Sequence, residues 1–86
     1  MSDKYWRRNE HASRTALEYC TGGRITYDGE RDVYVIGYII KKKKKSRDWL
    51  VFWYSSPWNR QYLGLLTDMQ PTEAKQTAQL LFGAQK

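Results

Sequence analysis

From Asp3 to Cys20, apolar and small residues return at helical intervals. Tyr5, Asn9, Ala12, Ala16 and Tyr19 stand at i, i+4, i+7, i+11 and i+14, with Trp6, Leu17 and Cys20 beside them, and that period predicts an amphipathic helix over residues 3–20. Ser2 or Asp3 supplies the N-cap, and Gly22-Gly23 the stop. The opposite stripe holds Lys4, Arg7, Arg8, His11 and Arg14, with Glu10 and Glu18 to its side. Its apolar face is shallow, so this helix is expected to lie flat on a sheet.

After Gly23 the period shortens to two. Arg24–Tyr27 reads as a short strand, and Asp28-Gly29 is a strong two-residue hairpin signal. Residues 32–42 make the best strand: Val33, Val35, Gly37 and Ile39 alternate with Tyr34, Ile36, Tyr38 and Ile40. Its partner is Trp49–Ser55, where Trp49, Val51 and Trp53 oppose Leu50, Phe52 and Tyr54. Strands apolar on both faces are either covered on both sides or expose an aromatic platform. Ser55, Ser56 and Pro57 break the pattern, and Gln61–Leu66 fits a short edge strand. Pro71 then opens a helix over 71–82 with Ala74, Thr77, Ala78, Leu81 and Phe82 as its buried stripe, closed by Gly83. The expected fold is α+β, a single domain over residues 1–86: an N-terminal helix, an antiparallel three- to four-stranded meander and a C-terminal helix, both helices on one face.

Charge changes this picture at one place. The 86 residues include 15 Lys or Arg against 9 Asp or Glu, a net charge of +6. Lys41, Lys42, Lys43, Lys44, Lys45 and Arg47 fall in the hairpin loop between the two best strands, with no acidic residue among them. The remainder is electrically neutral, so the protein is a balanced body with one basic loop. Like charges in succession predict an extended, mobile tip. Against a polyanion the six cations release counterions and bind without regard to sequence. The ordinary alternative is that lysines keep a sticky hairpin soluble.

Candidate chemistry beyond that loop is sparse. One His and one Cys, nine residues apart on the expected helix, lie on opposite sides at 100° per residue, which disfavours a nucleophilic pair. They are also too few for a metal site, and the glycines lack phosphate-loop or dinucleotide spacing. The expectation is therefore a protein that is not an enzyme and needs no cofactor or metal. The longest apolar run, eight residues from Val33 to Ile40, is too short to span a bilayer. The polar start predicts no signal peptide, no membrane partner is expected, and the single cysteine suits the cytoplasm.

Thirteen residues are aromatic, and nine of them (Tyr27, Tyr34, Tyr38, Trp49, Phe52, Trp53, Tyr54, Trp58, Tyr62) lie in or near the strands. Rings flanked by Lys and Arg are the hardware of single-stranded nucleic-acid binding, although strands favour rings for packing alone. Trp58, Arg60 and Tyr62 combine residue types that anchor protein interfaces. Arg7, Arg8 and Arg14 suit bidentate contact with phosphate or carboxylate, or simply form a solvated helix exterior. The order helix, three strands, helix resembles the double-stranded-RNA-binding domains, and Thr72–Ala78 is similar to their last helix. That family's lysine cluster is replaced here by Asp68 and Glu73, so the resemblance carries over only Lys75 as an RNA-contact candidate.

The sequence thus predicts a small binding protein for nucleic acid or a nucleic-acid-associated complex. The alternative is a phage or mobile-element accessory protein, anti-CRISPR-like, that occludes a host nuclease or CRISPR complex.

Overall fold

A computed structural model describes residues 3–22, 34–56 and 58–85. Five strands form one antiparallel sheet: β1 (Asp3–Arg8), β2 (Ala16–Gly22), β3 (Tyr34–Lys41), β4 (Trp49–Ser56) and β5 (Asn59–Leu66). They lie side by side in chain order. A single described helix, α1 (Pro71–Gly83), follows and packs across β3 and β4.

Strand alternation decides what faces α1. Gly37, Ile39 and Lys41 sit opposite Trp53, Val51 and Trp49 in the β3–β4 register. Ile39, Trp49 and Val51 are fully buried and meet Ala74, Ala78 and Phe82 of the helix, with Leu66 completing the core. Ala74 and Ala78 are spaced i, i+4, so the helix presents a small-residue seam and approaches the sheet closely. At Gly37 the approach is tightest: a Cβ there would stand 2.5 Å from Phe82 Cε1 and 2.6 Å from the Phe52 carbonyl oxygen. The Trp49 indole N–H donates to the Met69 carbonyl at 3.0 Å, so its burial leaves no polar atom stranded. Trp6 and Tyr19 meet in a tilted pair at 4.9 Å and flank Phe82, on which Tyr19 stacks, extending the core toward β1.

The N-terminal helix expected over 3–20 is replaced by the β1–β2 hairpin. The helical count included Asn9 and Ala12, and both lie in the connecting loop. There the His11 amide donates to Asn9 Oδ1 at 3.0 Å, and the Asn9 amide closes onto the Ala16 carbonyl at 2.9 Å. Once the chain turns here, Tyr5-Trp6-Arg7-Arg8 and Leu17-Glu18-Tyr19-Cys20 place alternate residues on opposite faces, as strands require. Trp6 and Tyr19 become cross-strand partners. Pairing with β3 then overrides local periodicity. The meander has five strands rather than three or four, and only one helix is described on the face where two were expected. With no first helix among the described residues, the helix, three strands, helix order on which the resemblance to double-stranded-RNA-binding domains rested is not met. The expected strand Arg24–Tyr27 and the Asp28-Gly29 turn lie outside the described residues.

The remaining elements follow their sequence signals. Pro71 occupies the first helical turn of α1, and β5 starts at Asn59, two residues before the expected edge strand. β5 is bulged where Val51 pairs with Gly64 and Phe52 with Tyr62. Gly64 takes φ +151° at that bulge, a value that glycine alone adopts readily.

Candidate functional site

The register lines up one residue from each strand on the sheet face away from α1. Arg7 pairs with Glu18, Glu18 with Tyr38, Tyr38 with Phe52, and Phe52 with Tyr62. Tyr38 and Phe52 stack at 4.9 Å and 18°, while Tyr62 and Tyr54 tilt against this pair at 5.5 and 5.9 Å. Arg60 folds back from β5. Its guanidinium lies 5.2 Å from the Phe52 centroid and donates to the Tyr38 hydroxyl. Phe52 is thereby a support, and the surfaces left for a ligand are the Arg60 plane, Tyr38 and Tyr62, the last being 56% exposed.

At the other end of the row, Arg7 Nε donates to Glu18 Oε1 at 3.0 Å. That bond raises Arg7 still further above its ordinary value. Burial, and then the neighbouring Tyr38, push the Tyr54 hydroxyl up against the opposing charge of Arg60. Burial likewise raises the Cys20 thiol, which lies beneath this face and is fully buried. A second row runs nearer the lysine loop: Ala16, Ile40, Leu50 and Leu65. No described helix covers either row. Among the described residues the β1–β2 loop borders this face, and the groove there is lined by Asn9 and Ala12 of the loop with Ala16, Glu18, Ile40, Tyr38, Tyr54 and Arg60 of the sheet.

The lysine loop forms a hydrogen-bonded turn. Lys42 N–H donates to the Asp48 carbonyl at 2.9 Å, Ser46 N–H to the Lys43 carbonyl at 3.0 Å, and Asp48 N–H to Ser46 Oγ at 2.9 Å. The turn after β5 supports it from behind through Arg47 Nε to Asp68 Oδ1 at 3.2 Å and Asp68 N–H to Asp48 Oδ1 at 3.0 Å. Arg14 donates to the Lys42 carbonyl at 2.8 Å. These bonds set a turn with Lys42, Lys43, Lys44 and Lys45 all exposed, where an extended tip was expected. Two carboxylates at the base and a backbone turn outweigh mutual repulsion among solvated lysines.

The candidate residues therefore separate into groups. Lys42 to Lys45 stay together as a cationic tip. Lys41 instead ends β3 with its ammonium 5.6 Å from the Trp49 ring, and Arg47 is paired with Asp68. The arginine stripe does not exist as one surface: Arg7 is on the open face, Arg8 lies opposite Leu17 on the other, and Arg14 holds the loop. Trp49 is core, and Trp53 is half-buried on the helix side. Trp58, 92% exposed, sits in the β4–β5 turn. That turn and the lysine tip lie at opposite ends of β4, roughly 25 Å apart for eight residues. Lys75 is half-buried on α1. Glu18, Asn9 and the bridging role of Arg60 were not singled out by sequence. Period-two alternation across residues 3–8 and 16–22 was the signal that could have found Glu18.

Comparison of the chain with protein-family models, curated proteins and solved structures finds no match.

Proposed function

We propose that this protein is a non-enzymatic cytoplasmic module that binds single-stranded nucleic acid across the open face of its sheet. The observation that carries the reading is the row Tyr38, Phe52, Tyr62 with Arg60 laid over it, on the face α1 leaves uncovered. Bases stack on such rings and on arginine planes. Lys42, where the tip begins, is four residues from Tyr38, roughly 13 Å along the strand direction. A strand lying on the row therefore has its backbone within reach of the lysine tip. Anisotropy of a labelled oligothymidylate tests this. Wild type is expected to bind at low salt, and Tyr62→Ala to weaken binding about fivefold or more, as loss of one stacked base implies. No binding at low salt, or an unaffected Tyr62→Ala, overturns it.

A second reading, occlusion of a host nuclease or CRISPR complex by a phage or mobile-element accessory protein, is favoured by Trp58 alone. A tryptophan 92% exposed beside Asn59 and Arg60 has the composition of an interface anchor. Under this reading a host protein is retained after nuclease digestion and lost with Trp58→Ala. Loss of every partner on digestion contradicts it.

A further inference from the structure

We propose that the groove beside the β1–β2 loop is a base pocket that selects guanine within a bound single strand, an inference that rests on the nucleic-acid reading above. Three features of the groove converge on a planar heterocycle. Its lining is flat or small: Tyr38, Tyr54, Ile40 and Ala16 lie side by side on the sheet face as a floor, and Ala12 of the loop borders them. Its loop side is fixed at both ends. Asn9 is tied to Ala16, and Thr15 accepts the Lys41 amide at 2.9 Å. Its charged and amide groups are few and differ in kind: Glu18, Asn9 and Arg60, beside the hydroxyls of Tyr38, which Arg60 engages, and Tyr54.

Glu18 decides which base. Its side chain is only 18% exposed, and Arg7 holds it through Oε1 while neutralising it. Arg7 uses one of the carboxylate's roughly four acceptor positions, so the group remains an acceptor toward the groove. Guanine alone among the bases presents two adjacent donors, N1–H and the 2-amino group, on its Watson–Crick edge. Adenine and cytosine place a ring acceptor beside their amino group, and thymine flanks its one N–H with carbonyls, so each sets a lone pair against the carboxylate. Arg60 and the Asn9 amide supply donors of the kind that guanine O6 and N7 accept. The Asn9 oxygen is already occupied by the His11 amide, so its remaining hydrogen-bonding capacity is largely its NH2.

The test compares oligothymidylates carrying one central guanine, inosine, adenine or no substitution, by anisotropy with the full chain. Guanine is expected to tighten binding about tenfold, within the range of one bidentate base contact. Inosine, which lacks the 2-amino group, should lose most of that gain in the wild-type protein. In Glu18→Gln, with folding checked by circular dichroism, the ratio of guanine-strand to thymine-strand affinity should fall to near one. Equal affinity for the guanine and adenine strands, or a preference that survives both inosine and Glu18→Gln, overturns the pocket. If wild type binds all strands alike, only the pocket falls. If it binds none, the underlying nucleic-acid reading falls with it.

Discussion

Gly37 shows how one position ties the two faces of the molecule together. On the helix side its missing side chain admits the Phe82 ring, and toward the neighbouring strand β4 it lies against the Phe52 backbone. Phe82 can shift, but the Phe52 carbonyl is part of the sheet and cannot. Gly37→Ala should therefore destabilise by about 1–3 kcal/mol, as overpacking does, read as a lower urea midpoint with an unchanged slope. Cys20 offers a second residue-level check. Burial raises its thiol, so the folded state favours the protonated form. That contribution is complete below the unfolded thiol value, about 8.5, and is lost as pH rises through the higher folded value. Stability should fall as pH climbs above about 8.5, and Cys20→Ala should flatten that fall. An equal fall in Cys20→Ala would assign it to other groups. Cys20 should also resist alkylation in the folded protein and react once urea unfolds it.

Among the elements, α1 and the β3–β4 hairpin were legible because their patterns admit one answer. A proline-led run with Ala74, Ala78 and Phe82 on one stripe fits only a helix, and Val35 to Ile40 against Trp49 to Tyr54 fits only strands. The β1–β2 segment was misread because its residues satisfy two periods at once. Tyr5, Ala16 and Tyr19 share a helical stripe, yet Trp6 and Tyr19 meet across a hairpin, a contact that is non-local and invisible to a window. The site suffered the same fate. Tyr38, Phe52 and Tyr62 were visible as aromatics, but their alignment with Glu18 and Arg7 exists only once five strands are in register. Helix docking is the element-scale prediction. Phe82→Ala removes the ring that Trp6 and Tyr19 flank and should cost about 3–5 kcal/mol, lowering the midpoint of the helical circular-dichroism transition in urea. Asp68→Asn, which loses an exposed ion pair and keeps a residue tolerant of φ +52°, should cost less than about 1 kcal/mol.

For the molecule as a whole, the excess charge lies at one end of a sheet whose open face carries the rings, and Trp58 marks the other end. The cations and the rings make different predictions: cations give binding strength that falls with salt, while rings add strength that salt leaves largely unchanged. The most direct test of the central claim is the slope of log affinity against log salt concentration for an oligothymidylate, measured for wild type and for the variant with Lys42, Lys43, Lys44 and Lys45 changed to Ala. Single strands lose about 0.7 in slope for each phosphate contact removed, so the variant should bind with a slope shallower by about 3. A slope that the four substitutions leave unchanged, or no binding by wild type at low salt, would contradict the account.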